Sequence, residues 1–330
     1  ALLMDHTRPL FLPISEIKLQ PPEWLIEGVI EANTLCGLVG ASYSGKSFLA
    51  LDMALSIASG LPFHEATTAQ GSVLFIAGEG NRGLLSRIEA WCREKGIERA
   101  DVPLSISQQS VLMHESQDIQ SILDEVTKLT DVSLIVIDTL ASVFGSYNEN
   151  NTPDMNWFIT NCNKLRDAGT SVVIVHHTGH NGERARGNSA FYAALDTKMR
   201  VSKNKSNVEL SCSKMKDAEQ FDPVKFRMVA CDLGNDSSSV FLQKIGAKDK
   251  LSRLTQHEEI ALKTFKQGTN ANVPDSTASM EKWRELFYAG HTGDKEEAKK
   301  KAFQRARKTL VTKGYLKVED EIYTLKDKGT

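Results

Sequence analysis

The sequence has no apolar run approaching the ~20 residues that a helical membrane span needs, and Leu2-Leu3-Met4 is too short for one. Its start lacks the basic flank and apolar stretch of a secretory signal, and Met4 is expected to be the native first residue. Cysteine is scarce: the five residues (36, 92, 162, 212 and 231) are odd in number, scattered and never spaced as CxxC. That argues against a disulfide framework and a zinc site, and a reducing cytoplasm is expected. Net charge is nearly absent, at -2. At 41% hydrophobic and 25% charged the chain is neither disordered nor membrane-like, and 330 residues exceed one typical domain. The small net charge conceals an asymmetry. Residues 247–330 carry 18 Lys+Arg against 13 Asp+Glu, so the basic excess lies at the C-terminal end. A polyanionic partner and a solvated helix face both fit that excess.

What is present is organised around Gly40-Ala41-Ser42-Tyr43-Ser44-Gly45-Lys46-Ser47. The apolar run Leu35 to Val39 precedes it, and Phe48-Leu49-Ala50-Leu51 follows, so the order is strand, glycine loop, helix. The string fits GxxxxGK[ST] at every fixed position. The chemistry explains the residues: loop N–H groups curl around a polyphosphate and the new helix aims its positive end at it, with Phe48 in the first turn. Lys46 supplies a charge and Ser47 a Mg2+ ligand. The cofactors expected are ATP and Mg2+.

Before the glycine loop, Pro9, Pro13, Pro21 and Pro22 and then Trp24 to Ile30 predict an extended lead-in over residues 1–34 that ends near the nucleotide. It would pack on the base, on a neighbouring subunit, or simply on the core. Ser72 to Ala77 reads as a buried parallel strand, closed by Gly78-Glu79-Gly80. A carboxylate at such a strand end lies beside the ligand crevice of an open α/β sheet, so Glu79 is the candidate base for the attacking water; the alternative is a helix N-cap. Ser133 to Asp138 is four apolar residues ending in Asp, the Walker B pattern, which makes Asp138 the second metal ligand. A polar loop is expected from Ala141 to Asp154 and a helix from about Met155. The next buried strand, Ser171 to Val175, runs into His176-His177, well placed to touch a γ-phosphate. Arg184 and Arg186 lie in the glycine-bearing loop that follows, a nucleic-acid contact or an ordinary surface loop.

After residue 196 the pattern becomes short alternating strands, an antiparallel extension of the sheet. Ser213-Lys214-Met215-Lys216 lies between two of them. From Gly246 onward three helices (about 255–266, 279–289 and 295–313) and a two-stranded hairpin predict a winged helix. Its third helix carries Lys299, Lys300, Arg305, Arg307 and Lys308 on the face away from Phe303 and Leu310, suited to duplex DNA. The acidic Glu319-Asp320-Glu321 turn is poor for a phosphate-contacting wing and keeps a protein-docking role open.

Over residues 23–243 this set resembles the RecA-like P-loop ATPase core, in particular the RepA-type hexameric replicative helicases. The anchors are Gly40 to Ser47, Gly78-Glu79-Gly80, Leu134 to Asp138, Val175-His176-His177 and Arg186-Gly187-Asn188-Ser189. The resemblance implies an α/β fold, a mainly parallel sheet with an antiparallel C-terminal extension over residues 1–246; the three helices and hairpin that follow add a small α+β winged helix over 247–330. It also implies Glu79 as catalytic base, His177 as γ-phosphate sensor, and single-stranded DNA gripped by the loops after Asp138 and after His177. Lys214 and Lys216, or their rival Arg200, would act as a finger in a neighbour's site, which requires a homo-oligomer, by analogy a hexamer. The winged helix departs from the minimal RepA-type pattern. The functions expected are a ring-forming DNA motor or helicase of a plasmid, phage or mobile element, or a nucleotide-switched replication regulator or recombination mediator that does not translocate. A metabolic kinase would leave the C-terminal module without a role.

Overall fold

The computed structural model describes residues 11–17, 21–78, 81–178, 189–205, 207–246, 256–269, 279–291, 296–312, 315–319 and 322–325. Glu79, Arg184 and Arg186 lie outside the described residues, as does the rest of the 179–188 loop. The chain divides into two compact units, Ala1–Lys244 and Ile245–Thr330.

The first unit is α/β. Its short strands β1 (Trp24–Ile26) and β2 (Ile30–Glu31) pair with each other, antiparallel. The main sheet is built from β3 (Leu35–Gly40), β4 (Ser72–Ala77), β5 (Leu104–Ile106), β6 (Val132–Asp138), β7 (Ser171–His177), β8 (Thr197–Asn204), β9 (Asn207–Met215), β10 (Val224–Gly234) and β11 (Ser237–Lys244). Among the described residues it has nine strands in the order β11-β10-β9-β8-β3-β7-β6-β4-β5. From β8 to β5 every neighbour is parallel, whereas β8 to β11 are joined antiparallel.

Helices cover both faces, which is why the central strands read as unbroken apolar runs. Alternate residues of each strand serve the two cores. Cys36, Leu38, Phe75, Val136 and Val175 meet α1 (Lys46–Ser59) and α2 (Asn81–Lys95). Leu35, Ile76, Ile137 and Ile174 meet α3 (Ser116–Lys128), α4 (Leu140–Val143), α5 (Thr152–Asp167) and α6 (Ser189–Ala194). Each such Leu, Ile or Phe contributes on the order of 1.5–3 kcal/mol by leaving water. Helix α1, which carries the phosphate loop, is also pinned by a buried carboxylate. Asp52 Oδ1 accepts a 2.7 Å bond from Trp91 Nε1 of α2, and Oδ2 lies 2.9 Å from His64 Nε2.

Three expectations change. The lead-in is a hairpin rather than an extended strap: Gly28, at φ 67°, turns the chain, and Leu25, Ile26, Val29 and Ile30 bury in the α1-side core. It enters β3 at Leu35, the strand end opposite Gly40, and so does not end near the phosphate loop. Residues 140–143 form α4, because the Thr139 hydroxyl and the Ser142 side chain cap its start and Leu140 and Val143 are apolar enough to bury. Helix α5 starts three residues before Met155, since Asn151 Oδ1 accepts from the Asp154 N–H and Pro153 suits the first turn.

The second unit holds α7 (Gln256–Gly268), α8 (Met280–Gly290), α9 (Glu296–Thr312) and the antiparallel pair β12 (Leu316–Glu319) and β13 (Ile322–Leu325). Its core is aromatic, with Phe265, Trp283, Phe287 and Phe303 closing around Leu310 and Leu316. The indole of Trp283 donates to the Ala261 carbonyl at 2.8 Å, which satisfies the one polar atom of that buried ring.

Candidate nucleotide site

The strand order sets the site. β7 is inserted between β3, which ends in the phosphate loop, and β6, which ends in Asp138. His177 is the register partner of Gly40, and Asp138 that of Val175. The three strand ends therefore converge on one crevice. A Cβ at Gly40 would run into the Val201 carbonyl oxygen, so the loop can leave β3 here only from glycine. Gly45, at φ 99°, supplies the left-handed turn that starts α1. Tyr43 stands at the loop tip, exposed.

Lys46 is the hub. Its ammonium donates to the carbonyls of Gly40 (3.0 Å) and Ala41 (2.8 Å) and to His177 Nδ1 (3.1 Å). With an ammonium donor there, Nδ1 is the acceptor and the imidazole carries its proton on Nε2. The Ser42 hydroxyl reaches the same nitrogen at 3.3 Å. One turn of chemistry away, the Ser47 hydroxyl donates to Asp138 Oδ1 at 3.1 Å. Gly78 N–H donates to the Asp138 carbonyl at 2.7 Å, and a Cβ there would meet Ser142. The chain thus leaves β4 against the end of β6, and Glu79 is the next residue, just outside the described ones.

Burial lowers the Lys46 pKa from the usual lysine range to about 8, against the opposing pull of Asp138. The consequence is measurable. A bound polyphosphate restores the lysine's charge, so the proton is held more tightly in the complex than in the free protein. At a pH near 8, nucleotide binding is expected to take up about half a proton, and less as the pH falls below that. Calorimetric titration in buffers of different ionisation enthalpy reads that number; binding with no uptake would show that Lys46 does not hold phosphate.

Hard oxygen ligands are what Mg2+ takes, and Ser47 and Asp138 present a hydroxyl and a carboxylate side by side at the mouth of the loop. The residues present fit the ion. Phe48 has a different surrounding from the one its position in the motif suggests: the Arg87 guanidinium of α2 lies 4.5 Å from its ring centroid. Sequence reasoning passed over Arg87, and its one signal was a cation on the helix that follows Glu79.

His176 is buried, with its ring 5.4 Å from that of Phe191 at 71°. Phe191 belongs to α6, an element the sequence did not signal, which begins directly after residues 179–188. The loop after α4 is also tied down: the His114 ring stacks on Tyr147 at 4.0 Å and its Nε2 lies 3.0 Å from the Asp154 carbonyl.

The finger candidates separate. Arg200 is exposed on β8 and pairs in register with Val39, one residue before the loop. Lys214 lies on β9 opposite Lys198, level with Gly37 and so toward the far end of β3. Its ammonium donates to the carbonyls of Ala193 (3.0 Å) and Leu195 at the end of α6. Lys216 pairs with Asp196 at 3.5 Å. Both lysines are therefore engaged within their own chain.

On α9, Lys300, Arg305 and Lys308 are exposed, together with Lys301. Lys299 and Arg307 depart from the expected outward face. Lys299 donates to the Tyr288 carbonyl at 3.1 Å, and the Arg307 guanidinium lies 5.3 Å over the Tyr323 ring with Nη1 3.0 Å from Met280 Sδ. Each stands four residues from the buried Phe303, so both share the face of α9 that α8 and β13 cover.

Residues 11–183, slightly more than half of the chain, match a family described as AAA domain. No curated protein matches the chain. The matched stretch contains the phosphate loop, Gly78, Asp138 and His177, and none of β8 to β11 or the second unit.

Proposed function

Since the chain belongs to the AAA domain family of P-loop ATPases, we propose that it is an ATP- and Mg2+-dependent, ring-forming DNA motor of RepA type, serving replication of a plasmid, phage or other mobile element. The observation that carries the reading is His177 between Lys46 and Ser42, because it joins the phosphate loop to the strand that opens into the 179–188 loop. A γ-phosphate entering the loop competes for Lys46 and Ser42. Its arrival and loss change what His177 bonds, one residue from the His176 ring packed on α6.

In this reading the N–H groups of residues 41–45 and Lys46 hold the β- and γ-phosphates, and Ser47 and Asp138 hold Mg2+, which neutralises phosphate charge when bound. Glu79 orients a water and takes its proton as the water oxygen bonds to the γ-phosphorus. The bond to the bridging oxygen breaks and ADP and phosphate leave. A cation from a neighbouring subunit would stabilise the charge of that transition state, an effect of about 10^3–10^5 in rate in other P-loop enzymes. Arg200 is the better candidate, being exposed, while Lys214 and Lys216 are engaged in their own chain. Six subunits would form the ring, with Arg184 and Arg186 facing single-stranded DNA. The second unit is read as a winged helix that sets Lys300, Arg305 and Lys308 of α9 against duplex phosphates, in the cytoplasm.

The rival reading is a nucleotide-switched replication regulator or recombination mediator that binds DNA without moving along it. The second unit favours it, since it adds a duplex-binding surface that a motor does not need. Unwinding of a forked duplex in the presence of ATP separates the two. Displacement of the strand is expected of the motor, and tight, salt-sensitive duplex binding with no displacement would favour the regulator.

A further inference from the structure

The second unit contains a cleft of about 570 Å³ between α7 and α9, lined also by His291, the residue that follows α8. Two imidazoles form part of its wall. The rings of His257, on α7, and His291, after α8, stack in parallel with centroids 4.7 Å apart and planes within 4°. Across from them α9 presents Lys301 and Arg305, one turn apart and exposed, and then Thr309. The acids nearby are Glu258, in the same lining, and Glu297, which pairs with Lys301 at 3.3 Å. Lys299 of α9 stands close to His291.

With both imidazoles neutral, these charges are close to balance. Protonating the pair places two like charges face to face beside Lys299, Lys301 and Arg305, with Glu258 and Glu297 as the opposing acids. Burial first, then His257 and Lys299, lower the His291 pKa in the free protein. An anion in the cleft would oppose the two charge effects, since it supplies the charge that a stacked imidazolium pair lacks. Binding and protonation are then reciprocally linked: whatever the anion adds to the histidines' proton affinity, protons add to the affinity for the anion. The volume, the paired cations on one helix face, the imidazole N–H groups and the Thr309 hydroxyl are the donor set that a phosphate oxygen takes.

We propose that this cleft binds a phosphate group, that of a nucleic-acid backbone, and that it fills as His257 and His291 become protonated. The proposal rests on the reading of the second unit as the duplex-contacting one. It moves the contact from the outer face of α9 to the side facing α7, and it adds two residues that no helix-face argument would include.

The test uses the full chain without nucleotide and a short labelled duplex, at constant ionic strength, near pH 6 and near pH 8. Wild type is expected to bind about tenfold more tightly at the lower pH, in keeping with one to two added phosphate-facing charges. His257→Gln, at an exposed position, should abolish most of that pH response while ATP turnover is unchanged; Arg305→Ala should weaken binding at both values. The same pH response in His257→Gln as in wild type would overturn the cleft and leave duplex binding itself standing. If no duplex binds at either pH, the duplex reading of the unit falls. The imidazole proton resonances of His257 and His291, titrated with and without inorganic phosphate, then decide the cleft separately. A rise of the His291 pKa in phosphate identifies a site for a free phosphate anion, and an unshifted titration curve overturns the proposal altogether.

Discussion

Lys46→Ala is expected to lower ATPase kcat/KM by about a thousandfold or more and to remove measurable nucleotide binding at micromolar protein. Three carbonyl or imidazole acceptors converge on this one ammonium, at 2.8–3.1 Å, in a site that excludes enough water to bring its pKa to about 8. A phosphate bound there would meet a charge whose solvation has already been surrendered, so the interaction is worth far more than one at the surface. Alanine leaves the Ala41 carbonyl to water at an exposed position, while the Gly40 carbonyl keeps its 2.9 Å bond from the Thr178 N–H, so the melting temperature should change little. Equal loss of folding and activity would mean that the variant reports stability alone. Lys46→Arg keeps a charge but not its shape; a planar fork cannot fit between the two carbonyls and Nδ1, and it should not rescue turnover.

The second large effect is expected of Glu79→Gln. The amide keeps size and polarity but cannot accept the proton of the attacking water, so kcat should fall by about 10^2–10^4 while ATP still binds. Glu79 takes this role from its place in the chain. The preceding Gly78 is locked to the Asp138 carbonyl and crowded by Ser142, which fixes where β4 exits relative to the metal-ligand pair. Filter retention of ATP by the variant, beside steady-state phosphate release, separates the two quantities. Normal turnover would reassign the base, and lost binding would make Glu79 a structural residue of the loop.

The core was legible because both of its signals are local. Buried parallel strands need unbroken apolar runs, and phosphate loops need glycine at fixed offsets, so β3, β4, β6 and β7 and the loop between β3 and α1 stand out in a single sequence. Lys46, Ser47, Asp138 and His177 could then be placed by the rule that ligands sit at the carboxyl ends of such strands. What escaped depends on pairing over long separations. That Trp24 to Glu31 folds back as a hairpin is decided by where α1 leaves an apolar surface, and that Lys214 binds the end of α6 is decided by the β8–β9 register. Neither leaves a periodic trace. α6 is six residues long, too short for its pattern to rise above a loop. Lys299 and Arg307 stand four residues either side of Phe303 and were counted outward for their charge; the neighbours that hold them, Tyr288, Met280 and Tyr323, belong to other elements. The stacked His257 and His291 are 34 positions apart in sequence and gave no signal at all.

Hydrolysis at the Lys46–His177 site is expected to be coupled to DNA and to a neighbouring subunit. It is tested most directly by ATP turnover with and without single-stranded DNA, on samples whose mass in solution is determined in the same buffer. A severalfold rise in turnover on adding single-stranded DNA is expected, confined to the assembled species. Full turnover by a monomer, indifferent to DNA, would contradict it.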